Sequence, residues 1–150
     1  MSEPVFWIGV VAGDHVAKGV AGGFCMFSHG EEKAAARLSP GDGFAYYSPM
    51  SGMKQGETLR SFTAIGIVED GPLTSRSMGR LEDGGEAVGM ARPARYLDAQ
   101  PASIYPLLDD LSFVKNASHW GMYFRKSLFG ISRPDFLIVA AAMKASLPFH

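Results

Sequence analysis

Five short runs of β-branched and aromatic residues, at positions 5–11, 24–28, 43–48, 59–68 and 90–98, constrain this chain more than any other feature. Each is about the length of a strand, and glycine or proline interrupts the sequence between them, as in Gly22-Gly23 and Pro40-Gly41. Runs this short cannot form long amphipathic helices, and the helical patterns between them do not recur in step. That excludes a parallel sheet with helices on both faces and predicts an α+β fold. Gly66 marks a bulge or a close backbone contact in the fourth run, and Pro93 predicts an edge position or a bulge in the fifth.

Helices are expected near 14–21, 101–111 and 133–146. Asp14 can cap the first, in which Val16 and Val20 share a face. Ile104, Leu107, Leu108 and Leu111 lie on one face of the second. Ser132 as cap, Pro134 in the first turn and Asp135 three residues after the cap define the start of the third. A further helical turn is expected within 31–38. The glycine-, serine- and charge-rich stretch 69–89 reads as a mobile hairpin loop, and 112–130 as aromatic and irregular.

The chain has 150 residues, a net charge of -1 and one cysteine. This suits one domain spanning 1–150, without an intramolecular disulfide, in a reducing and therefore cytoplasmic setting. No apolar stretch reaches the roughly 18 residues of a membrane span. The near-neutral charge argues against a broad phosphate-gripping surface, so any nucleic acid should be held locally. No metal-ligand spacing, phosphate loop or dinucleotide fingerprint occurs, and no metal, cofactor or catalytic residue is expected. Cys25 with His29 could form a thiol and its base, but Cys25 reads as a buried core residue. Asp109-Asp110 reads as a solvated helix side.

The aromatics stand in clusters beside small polar residues, as base-reading pockets require: flat walls for stacking and fixed groups for the base edge. Phe24, Phe113 and Phe129 read as core. For Trp7 and Trp120 both core and pocket readings are open.

The stretches FWIGVVAGDHVAKGVAGGFCMFSHG, LSPGDGFAYYSP, SFTAIGIV and LDDLSFVKNASHWGMYFRKSLFGIS resemble the bacterial EVE-domain proteins, a branch of the PUA-like superfamily related to YTH domains. The resemblance implies a PUA-like pseudobarrel of five to six mostly antiparallel strands with flanking helices. It also implies a reader of modified bases in DNA or RNA. The binding residues it suggests are Trp7, Ser28, His29, Tyr46, Tyr47, Ser48, Asn116, Trp120, Phe124 and, for a phosphate, Arg125. Trp7, Tyr46 and Trp120 are expected to line one pocket, with Ser28, His29, Ser48 and Asn116 at its edge. The segment after His29 departs from the lysine-rich stretch expected there: it is EEKAAAR, leaving Lys33 and Arg37 as its cations. The alternative partner is a nucleobase-like small molecule bound without nucleic-acid contact.

Overall fold

The computed structural model describes residues 3–52, 56–80 and 86–148. The strands are β1 (Phe6–Val10), β2 (Phe24–Cys25), β3 (Gly43–Met50), β4 (Thr58–Val68), β5 (Thr74–Arg80), β6 (Glu86–Tyr96), β7 (Ala102–Ser103) and β8 (Leu128–Ile131), of which β1, β2, β3, β4 and β6 arise from the five apolar runs. Six of them follow the order β2-β6-β4-β3-β1-β8, with β5 added to β6 and β7 to β4. Every pairing is antiparallel except β1 with β3. The result is the expected α+β pseudobarrel, a curled mixed sheet with a few helices against it. Among the described residues there are eight strands, two of them only two residues long, where five or six are expected from the sequence.

The helices are α1 (Gly13–Gly22), α2 (Glu32–Arg37) and α3 (Arg133–Ala142). Helix α1 stops at Gly23, which takes the left-handed conformation at φ 69°. Helix α3 is capped as the sequence predicts, the Ser132 hydroxyl accepting from the Asp135 amide, but it ends at Ala142, short of the expected 146. Asp135 has a second task, since its carboxylate accepts from both the amide and the hydroxyl of Ser112.

Asp14 does not cap α1, whose N-cap is Ala12 with Asp14 inside the first turn, and two further expectations need correction. Residues 101–111 are not a helix: they form β7 and a 3-10 turn, Tyr105–Leu107. Ile104, Leu107 and Leu111 are buried all the same. A spacing of three or four fits consecutive tight turns as well as a helix, and Pro106 removes a backbone donor that a helix would use. The stretch 69–89 is not simply a loop, because β5 pairs with β6 from Thr74↔Ala91 to Arg80↔Glu86; residues 81–85 lie outside the described ones. Within 112–130, Ala117–Phe124 is a 3-10 helix kinked at His119.

Strand alternation divides the buried residues into two clusters. Phe6, Ile8, Tyr47 and Phe62 pack with Phe136 and Val139 of α3. Trp7, Phe44, Tyr46 and Ala64 pack with Val16, Cys25 and Phe27. Gly9 makes the second cluster possible: a Cβ there would stand 2.4 Å from the Phe27 ring. Gly66 is a site of close approach, as expected, with the Arg95 carbonyl oxygen 2.8 Å from where its Cβ would lie. The bulges of β4 against β3 fall elsewhere, between Tyr46 and Tyr47 and between Ser48 and Met50.

Candidate functional site around the end of strand β1

Strand β1 ends between two neighbours, the Val10 amide donating to the Ser127 carbonyl and the Val11 amide to that of Tyr47. Three depressions adjoin there, and Val10 lines all of them. The first is a narrow cleft of about 60 Å³ between β1, α1 and β2, reached by Tyr46, His15, Lys18 and His29. The second, about 320 Å³, shares Val11, Ala12 and His29 with the first and is bounded by Arg125 and Ser127. The third, about 440 Å³, contains Tyr47, Trp120, Phe124, Arg60 and His119.

Backbone strain places His29. Ser28 and His29 both adopt left-handed backbone, at φ 50° and 56°, before Gly30 at 80°. Non-glycine residues in this region cost about 1–3 kcal/mol each and persist only where the surroundings enforce them. Here Gly30 and Glu31 donate back to Phe27 and Ser28, and the Ser28 and Ser127 hydroxyls share a hydrogen bond at 2.5 Å. The turn is thereby tied to β8.

Tyr46 is buried, and its hydroxyl accepts from the Met26 amide at 2.9 Å and donates to the Met26 carbonyl at 3.0 Å. Burial, then the neighbouring Tyr96 and Cys25, hold its phenol far above the usual range. Tyr47, on the opposite face, stacks on Phe124 with ring centres 4.3 Å apart. Burial pushes its phenol up to about 12, Arg60 acting in the other direction. Trp120 is half-buried and edge-on to Tyr47, Phe124 and Tyr105. Arg60, itself left-handed at φ 43°, donates to the Tyr105 hydroxyl.

The expected residues therefore divide. His29, Tyr46, Tyr47, Trp120, Phe124 and Arg125 reach the three depressions. Trp7, Tyr46 and Trp120 do not share a pocket, because alternation sends Trp7 and Tyr46 to one cluster and Trp120 packs against the other. Trp7 is 7% exposed, donates from Nε1 to Asp42 at 3.0 Å and lies under the Arg37 guanidinium, so it is a core residue. Ser48 is buried against the Thr63 hydroxyl. Asn116 caps the 3-10 helix by accepting from the Ser118 amide, and Ser28 braces the turn without lining a depression. Cys25 is buried, its thiol pushed up to about 12 by burial, whereas His29 is exposed at the rim. Sequence reasoning missed His15, Lys18 and Arg60. The first two carried a signal: basic side chains three apart in a helix share a face. Arg60 carried none.

Among the described residues no three His, Cys, Asp or Glu side chains gather as they would around a metal ion, and no helix is long and apolar enough to cross a membrane.

No protein-family model matches the chain. It is similar to the UPF0310 protein YdcG of Bacillus subtilis, 37% identical over 95% of this chain and 94% of that protein. It is 39% identical to UPF0310 protein msl3206 of Mesorhizobium japonicum, covering 93% and 92%. The chain belongs to the UPF0310 family. Among solved structures, this UPF0310 protein shares its fold with Rpa0253 of Rhodopseudomonas palustris, at a TM-score of 0.53, 13% identity and coverage of 97% and 96%. It also shares it with the N-terminal domain of Staphylothermus marinus McrB, at 0.50, 11% identity and coverage of 91% and 93%.

Proposed function

We propose that this UPF0310 protein is a nucleic-acid-binding module that holds one nucleotide, carrying a modified base, around the end of β1, and catalyses nothing. The observation that carries this reading is the convergence of aromatic walls and cations on one strand end, in a chain whose net charge is only -1. A base lying in the largest of these three depressions meets Trp120, with Tyr47 and Phe124 behind it. Stacking of this kind contributes ~1–3 kcal/mol per base without requiring an extended charged surface. Arg125, exposed beside the same strand end, suits a phosphate through its forked donors. The resemblance to EVE-domain proteins supports the same ligand. The absence of catalysis accords with the buried, protonated Cys25 thiol, which is no nucleophile at neutral pH.

The low net charge favours a second reading, a pocket for a free nucleobase-like molecule. Salt dependence separates the two, since only phosphate contacts release counterions. Binding would be measured with short single strands of DNA and RNA, unmodified and carrying one modified base. Trp120→Ala should weaken binding about tenfold to a hundredfold, the equivalent of ~1–3 kcal/mol, with little change in melting temperature. Arg125→Ala should flatten the slope of log affinity against log salt by roughly 0.7. Trp7→Ala should instead destabilise the fold by ~3–5 kcal/mol and spare the affinity of the molecules that remain folded. A Trp120→Ala protein that melts like Trp7→Ala yet binds normally would show Trp120 to be core.

A further inference from the structure

The cleft between β1, α1 and β2 differs in character from the two grooves beside it. At about 60 Å³ it is the smallest of the three, against about 320 and 440 Å³. A compact group such as a phosphoryl or a carboxylate suits it better than it suits the grooves beside it. Val10, Phe24 and Tyr46 form apolar walls, while His15, Lys18 and His29 reach it from two elements, and none of its lining residues is acidic. Apolar walls around the Lys18 ammonium strengthen its field on a small ion of opposite sign. The strained Ser28-His29 backbone is the device that brings His29 to this rim.

From this geometry we infer that the cleft is an oxyanion site at which ligand binding takes up a proton on His15. The inference rests on the reading that ligands engage the end of β1, and it specifies the group that enters the cleft. The source of that group is a phosphoryl of the nucleic-acid backbone or a carboxylate substituent of the bound base.

His15 is poised for such coupling. Burial is the main cause holding its imidazole below the ordinary value of 6.5, Lys18 and His29 push the same way, and Asp14 on the same helix opposes them. Tyr46 on β3 shares the cleft, and Arg76 on β5 lies over the Phe24 ring at its edge. Without an anion beside it, His15 is therefore neutral at neutral pH. An anion beside it favours the charged form, so by linkage affinity rises as pH falls.

The test is a proton NMR titration of His15 in the intact protein, alone, with sulfate standing for a phosphoryl group, and with acetate standing for a carboxylate. Sulfate does not itself titrate in this range. We expect a saturating anion to raise the His15 midpoint by about one pH unit, and its affinity to rise about tenfold between high and low pH. A larger shift with sulfate assigns the cleft to a phosphate, and a larger one with acetate to a base substituent. His15→Gln should remove the pH dependence, and Trp120→Ala should leave it intact. The inference is overturned if neither anion moves His15, or if His15→Gln keeps the wild-type pH dependence. Oligonucleotide binding that leaves His15 unmoved would overturn it while sparing the nucleic-acid reading. Sulfate coupling without oligonucleotide binding would do the reverse.

Discussion

His29 shows how a single residue can trade stability for position. Its backbone is left-handed, a conformation that costs an L-residue roughly 1–2 kcal/mol and glycine almost nothing. Glycine also loosens the unfolded chain, which offsets about 0.4–1 kcal/mol of that relief. His29→Gly should therefore raise stability slightly, by about half a kcal/mol in a urea melt, while weakening ligand binding at the strand end. A clear loss of stability would mean that the imidazole has structural contacts that outweigh the strain. The two tryptophans make a complementary point. Trp7 and Trp120 have equal standing in the sequence, but only Trp7 finds a buried carboxylate, Asp42, for its indole N–H.

At the scale of elements, β2 is two residues long and depends on side chains from the strands behind it. Tyr46 bonds both backbone groups of Met26, and the Tyr96 hydroxyl donates to the Phe24 carbonyl at 2.8 Å. Tyr46→Phe keeps the ring in its cluster and strips Met26 of both partners. It should cost ~1–3 kcal/mol in denaturant unfolding. Amide exchange should accelerate at Met26 and its neighbours and remain slow in β3 and β4, because the loss is local to one edge. Equal acceleration throughout the sheet would show that the hydroxyl supports the whole barrel. The segment 101–111 teaches the limit of pattern reading at this scale. Its apolar face was legible, but the periodicity could not separate a helix from a bridge and tight turns. Pairing of Ser103 with Ser61 and of Ala102 with Phe62 decided the matter.

For the whole molecule, four groups that titrate in alkali are buried or half-buried, on both faces of the sheet. Tyr46, Tyr47, Tyr96 and Cys25 all have values raised by burial, Cys25 and Tyr47 to about 12. A raised value means that the folded state keeps its proton longer than the unfolded chain does. Their contribution to stability is thus fully present below the unfolded values, ~8.5 for Cys and ~10 for Tyr, and is lost as pH climbs above them. The melting temperature should fall steadily above about pH 9, and Tyr46, Tyr47 and Tyr96, three of the five tyrosines, should add their ultraviolet tyrosinate signal only as the protein unfolds. A tyrosinate signal from more than two of the five tyrosines in the folded protein would refute the burial of these phenols.

The strand runs, the Ser132 cap, the stop at Gly22-Gly23 and the burial of Cys25 follow from local rules: β-branched residues prefer extended backbone, and an orphan helix amide prefers a hydroxyl. The α+β class follows from how those runs are spaced. Most of the aromatic residues that reach the strand end were legible as well, because flat side chains beside small polar ones stand out in a sequence. Which of them meet was not legible. In a strand of period two, Tyr46 and Tyr47 must face opposite ways, yet nothing local says which face holds the barrel's interior and which receives α3. That was settled only when β1 paired with β3 on one side and β8 on the other. The same pairing sent Trp7 into the core, left Trp120 at the rim, and brought His15 and Lys18, together on one helix face, to the same cleft as His29, which no sequence pattern connects to them.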